Sequence, residues 1–248
     1  EATMKLIEKL QRNLHDNYHF WQCLFMTIIT NPDRRLGALV WCNKRLPNFS
    51  PNDGVLSSEA NEIVNQETGL LVRAFIKSLD DEQILVQRGF FDLMISRLKL
   101  CSPVLSDEKK TSRDDTEKLI MSACLTVLRK DMSLNRRLWN WLLGTDDSIS
   151  TPVLEVAGDV SHNGTISDTS SKNRMMTRIK YFTEYGQQSL VEGFLKLINS
   201  DFLDDRIKGY KVSLAFMDKW EIGLLITSKI FVPFLRSVQS SLFESNNL

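Results

Sequence analysis

The segment KDMSLNRRLWNWLLG, residues 130–144, limits the possible folds more than any other stretch of this chain. Wound as a helix at about 100° per residue, Leu134, Leu138, Trp141 and Leu142 form one stripe. Trp139 and Leu143 fall on the opposite side. A helix that is apolar on two faces must be covered on both. A stack of helix pairs does this, because each helix touches its own partner and the next pair. Arg137 flanks the first stripe, while Arg136 and Asn140 point away from it.

Three other segments share this shape: NPDRRLGALVWCNKRL, DEQILVQRGFFDLMISRL and DDRIKGYKVSLAFMDKW. Each opens on Asp or Asn-Pro-Asp, continues with basic residues and ends in a thick apolar helix. The basic marks Arg35, Arg88 and Arg137 are spaced by 53 and 49 residues. Lys208 follows after another 71, or about 43 once the polar stretch 145–172 is set aside. Asp81, Val86, Arg88 and Leu93 also have HEAT-like spacing. No strand-like alternation interrupts the helical period. The pattern predicts an all-α fold, a HEAT/armadillo-like α-solenoid of stacked antiparallel helix pairs. Trp21, Leu39, Phe90, Leu125, Leu138, Trp141 and Leu214 are its expected core.

Residues 145–172 are rich in Ser, Thr, Asp and Gly and lack helical period, which predicts a long flexible insertion with helix resuming near Asn173. Asn31-Pro32 is a helix-start signal, with Asn as cap and Pro in the first turn. The first residue is Glu1 within a helical pattern, so the chain reads as a piece of a longer protein. The apolar run IGLLITSKIFVPFL is broken by Lys229 and Pro233 and is shorter than the roughly 20 residues of a membrane span.

The sequence carries no enzymatic signature. G-x-S-x-G, P-loop, G-x-G-x-x-G and kinase motifs are all missing. His15 and His19 are four apart, as two metal ligands would be, but no third ligand lies nearby and a helix joint explains them as well. Cys23, Cys42, Cys101 and Cys124 form no CxxC pair and read as buried free thiols. Asp92, four residues after Arg88, reads as an ordinary pair along one helix. The expectation is therefore no catalytic, metal or cofactor site.

Local positive charge remains. Net charge is zero, which argues against a nucleic-acid partner. Arg129, Lys130, Arg136 and Arg137 nevertheless bracket one tight joint, and Arg34 with Arg35 opens another helix. Further basic residues lie at Lys44 and Arg45 and between Lys172 and Lys180. Such residues can complement helix dipoles and brace joints through carboxylates. They can also form a shallow anion site where joints line up. On the second reading, Arg34, Arg35, Arg88, Arg129, Lys130, Arg136 and Arg137 would bind a lipid headgroup or an acidic partner.

LIMSACLTVLRKDMSLNRRLWNWLLG resembles the signature block of the Dopey family. ILVQRGFFDLMISRLKL, FWQCLFMTIITNPDRRLGALVWCNKRLP and YFTEYGQQSLVEGFLKLI are similar to its N-terminal domain. The Arg-Arg and double-aromatic form is more like fungal than animal members. The resemblance implies that residues 1–248 are the later part of the family's N-terminal α-solenoid domain, with 145–172 as an insertion. It also implies a non-enzymatic scaffold or adaptor in endosome-to-Golgi traffic, peripheral on the cytoplasmic face of those membranes. The implied partners are an Arf-exchange-factor-like HEAT-repeat Golgi protein, a P4-ATPase phospholipid flippase, kinesin light chain and membranes carrying phosphatidylinositol 4-phosphate. A purely protein-binding solenoid without a lipid site is the alternative.

Overall fold

The computed structural model describes residues 2–14, 16–64, 67–144 and 166–246. Among them are thirteen α-helices and no strand. In chain order these are α1 (Ala2–Asn13), α2 (Asn17–Thr30), α3 (Arg35–Arg45), α4 (Ser58–Val64), α5 (Gly69–Leu79), α6 (Ile84–Arg97) and α7 (Pro103–Ser106). They continue as α8 (Arg113–Leu125), α9 (Met132–Leu143), α10 (Ile166–Tyr185), α11 (Gln187–Ile198), α12 (Leu203–Met217) and α13 (Gly223–Asn246). Short 3₁₀ turns at Pro32–Arg34 and Thr126–Arg129 precede α3 and α9.

The helices stack in two layers. One layer runs α2, α5, α8, α11, each packed on the next, and α13 follows against α11. The other runs α3, α6, α9. Helix pairs α2–α3 and α5–α6 join the layers, α10 rests on α9 and α11, and α12 closes onto α11 and α13. This is the expected all-α solenoid.

Local chemistry sets the joints. Asp131 caps α9 by accepting the Leu134 N–H at 2.8 Å. Lys130, with φ of 54°, turns the chain through the left-handed region immediately before it. Ser112 caps α8 and Asp16 caps α2 in the same way. The Asn31-Pro32 signal starts the 3₁₀ turn rather than the α-helix, and Asn31 makes no side-chain cap.

Helix α9 is covered on both faces. Leu134, Leu138, Trp141 and Leu142 are buried, α9 packs on α6, and Trp141 donates its indole N–H to the Leu98 carbonyl at 2.9 Å. On the other side Leu143 is buried. Trp139 packs against Phe216 of α12 with ring centroids 4.7 Å apart, and the Lys219 ammonium lies 5.1 Å from its ring.

Trp21, Leu39, Phe90, Leu138 and Trp141 are buried core, while Leu125 is partly buried. Leu214 departs from expectation and is 52% exposed. The face that α12 buries is Gly209, Val212, Ser213 and Phe216, which turns Leu214 outward. Gly209 lets α12 approach α11 closely, because a Cβ there would lie 3.0 Å from Leu197 Cβ.

Helix α10 begins at Ile166, seven residues before the expected restart at Asn173 and inside the expected insertion. Residues 145–165 lie outside the described residues, and so does His15 of the His15/His19 pair. Cys42 and Cys124 are buried, Cys101 is half-buried, and Cys23, expected inside, is exposed. Helix α2 instead buries Phe20, Trp21, Phe25 and Ile28, and Cys23 faces away from them.

Candidate functional site

The basic residues marking the repeats work mainly across the joints. Arg35, the first residue of α3, is buried. One of its Nη groups meets Asp81 Oδ2 at 2.8 Å, and its Nε donates to the Ile28 carbonyl at 2.8 Å. Asp81 in turn accepts the Gln83 N–H at 2.7 Å just before α6. One repeat later, Arg88 of α6 meets Asp131 Oδ2 at 2.8 Å, and Asp131 is the cap of α9. The sequence separations are 46 and 43 residues, so each pair ties one repeat to the next. The Leu134 N–H and the Arg88 guanidinium hold the Asp131 carboxyl below its ordinary value.

Arg137 reaches back in the opposite direction. Its Nε donates to Asp92 Oδ1 at 2.7 Å and an Nη to Oδ2 at 3.2 Å, a two-pronged contact from α9 to α6. The expected pairing of Asp92 with Arg88 along α6 is thereby replaced by two pairings between repeats. In the other layer, Arg73 of α5 meets Asp115 of α8 at 3.2 Å. Arg97 donates to the carbonyls of Leu46 and, at 3.2 Å, Asn43, placing a cation at the C-terminal end of α3.

The expected anion-binding residues therefore separate by role. Arg35 is buried and cannot meet a headgroup. Arg88 and Arg137 are partly exposed but paired with carboxylates. Arg129 is exposed and donates to the Asp81 carbonyl at 2.9 Å, which joins it to Arg35 through one aspartate. Arg34, Lys130 and Arg136 are exposed and have no ion pair or side-chain hydrogen bond among the described residues. Arg129 and Arg137, read as one cluster from the sequence, are both drawn back to the preceding repeat, Arg129 to the Asp81 carbonyl before α6 and Arg137 to Asp92 within it.

The joint also encloses a feature that sequence reasoning missed. A cleft of about 370 Å³ lies between the end of α5, the 3₁₀ turn after α8 and α12. Asp80, Gln87, Ser122, Arg129 and Lys208 supply its polar groups. Its available signals were the doubled aspartate at 80–81 and the place of Lys208 in the repeat register. No group of three potential metal ligands occurs among the described residues. None of their helices is long and apolar enough to cross a membrane.

Comparison with known proteins agrees with this architecture. The Dopey N-terminal family model matches residues 1–147, and the DOP1 middle TPR domain model matches residues 181–247. The expected assignment to the N-terminal domain takes in the whole chain, whereas the first match ends at residue 147 and the second begins at residue 181. Protein dop1 of Emericella nidulans is 37% identical over 239 residues, covering 90% of this chain and 13% of the relative. Protein DOP1 of Saccharomyces cerevisiae is 36% identical over 282 residues, covering 98% and 16%. Protein DOP1B of Mus musculus is 26% identical over 232 residues, covering 89% and 9%. The chain thus spans less than a fifth of the length of each of these relatives. No solved structure matches. With more than half of its length matched by the N-terminal model, the chain belongs to the Dopey family and lies closer to these two fungal members than to the mouse protein.

Proposed function

We propose that this segment is a non-enzymatic docking scaffold in endosome-to-Golgi traffic, carried on the cytoplasmic face of those membranes by its protein partners. The observation that carries this reading is the set of ion pairs between repeats, Arg35–Asp81, Arg88–Asp131 and Arg137–Asp92. They commit the repeat-marking arginines to the frame and favour a stiff surface for protein contact over a broad basic face. The family resemblance proposes the partners: an Arf-exchange-factor-like HEAT-repeat protein, a P4-ATPase flippase and kinesin light chain. Purified cytosolic regions of each, tested against the immobilised chain, check this reading. At least one should be retained at physiological salt, and retention of none would overturn it.

A second reading, direct contact with membranes carrying phosphatidylinositol 4-phosphate, is favoured by the exposed Arg34, Lys130 and Arg136. Each basic residue near an anionic surface contributes about 1 kcal/mol. On this reading, replacing all three by Glu lowers sedimentation with phosphoinositide liposomes more than tenfold and leaves helical circular dichroism intact. Wild-type sedimentation that is equal on neutral liposomes would remove the reading.

A further inference from the structure

The cleft between the second, third and last repeats has the chemistry of a ligand seat. Asp80 comes from the end of α5, Gln87 from α6, Ser122 from α8, Arg129 from the turn after it and Lys208 from α12. Leu79, Leu125 and Leu128 provide an apolar wall. Its volume of about 370 Å³ holds a short piece of peptide rather than only a few waters.

Its hydrogen-bonding groups are incompletely used. Gln87 is 2% exposed, and its Nε2 donates to the Leu79 carbonyl at 2.7 Å, which fixes the amide's orientation. Its Oε1 has no partner among the described residues. Arg129 commits an Nη to the Asp81 carbonyl and keeps further N–H groups. The Lys208 ammonium has an exposed contact with Asp205 at 3.3 Å, which is weak, and also attracts the Asp80 carboxyl. Two cations therefore stand near an apolar wall, with Asp80 in the same cleft.

Resting on the docking-scaffold reading, we infer that this cleft binds an acidic peptide segment of a partner protein. A Glu or Asp carboxylate would meet Arg129 and Lys208, and a neighbouring apolar side chain would cover the leucines. A peptide fits better than a phosphate headgroup. Asp80 already places a carboxylate in the cleft, and its repulsion acts more strongly on a doubly charged phosphate than on a single carboxylate. A peptide also brings the apolar side chain that a bare phosphate dianion lacks.

The test uses two pools of N-acetylated, C-terminally amidated octapeptides, random except for a central Leu-Glu or a central Leu-Gln. Retention on the immobilised chain is measured for wild type, Lys208→Gln and Asp80→Asn. The Glu pool should be retained at least fivefold over the Gln pool. That preference should fall severalfold in Lys208→Gln, whose melting temperature should match wild type, and rise in Asp80→Asn. A purely structural role would not move the two variants in opposite directions. Equal retention of the pools, or a preference untouched by Lys208→Gln, overturns the inference. Phosphoinositide vesicles bound through Lys208, with no peptide preference, would assign the cleft to a headgroup and overturn it too. If whole partner regions remain bound while the peptide preference is absent, the cleft assignment fails and the scaffold reading stands.

Discussion

Arg35 and Asp81 are 46 residues apart in sequence, yet their side chains meet at 2.8 Å with 8% and 4% of their surfaces exposed. Neither charge is bare. Arg35 also holds the Ile28 carbonyl, and Asp81 the Gln83 N–H. A buried pair with its remaining groups satisfied acts as a specific joint, whereas half of such a pair is a buried charge without a partner.

Removing one half should therefore cost much more than replacing both. Asp81→Ala is expected to destabilise the chain by about 3–5 kcal/mol, while Arg35→Met with Asp81→Leu recovers most of that loss. Urea unfolding of the two variants measures the difference. A single variant with the wild-type midpoint would show that the pair does not hold the joint.

Trp141 and Leu214 should respond in opposite ways to truncation. Trp141 is buried and hydrogen-bonded to the Leu98 carbonyl, so Trp141→Ala should cost about 3–5 kcal/mol. Leu214 faces solvent, and Leu214→Ala should stay within about 0.5 kcal/mol of wild type. Thermal melts decide it, and a large effect at Leu214 would mean that the exposed face of α12 is covered.

These two residues also show what the sequence can reveal. In α9 the tryptophans and leucines fall on two separated stripes, so its double coverage is legible from residue spacing alone. In α12 apolar residues lie on both sides, Val212 and Phe216 against Leu203, Ile207 and Leu214, and periodicity cannot say which side is inside. The arginine partners are hidden for a different reason. Asp92 is four residues from Arg88 along the helix, yet stacking brings it to Arg137, and only the packed repeats decide between the two. The early start of α10 is hidden because ISDTSSKN offers no apolar period to read.

Asp80 gives a pH signature. Partial desolvation beside the cleft wall pushes its carboxyl above the ordinary aspartate value, against the opposing pull of Ser122, Lys77, Arg35 and Lys208. The folded state then binds this proton more tightly than the unfolded chain does. Ionisation of Asp80 therefore lowers stability above the raised folded value, and that penalty is relieved as pH falls back through it. Asp80→Asn should be more stable than wild type at neutral pH, with the advantage shrinking toward the ordinary aspartate range. Melting temperatures between pH 4 and pH 8 (roughly that window and above) measure the trend. An advantage that grows in acid would contradict it.

The cysteines give a readout of intactness that needs no partner. Burial pushes the Cys42 thiol up to about 12 and Cys124 well above its ordinary value, so neither supplies thiolate near neutral pH. Cys23 is exposed on α2, and its Sγ lies 3.6 Å from His19 Nε2. A thiol reagent at mildly alkaline pH should label Cys23 first, Cys101 more slowly, and Cys42 and Cys124 only after denaturation. Mass mapping of the labelled peptides follows the order. Prompt native-state labelling of Cys124 would mean that α8 is not enclosed between α5 and α11. The same assay applied to Asp81→Ala should show Cys42 becoming reactive, because that variant loosens the joint from which α3 starts.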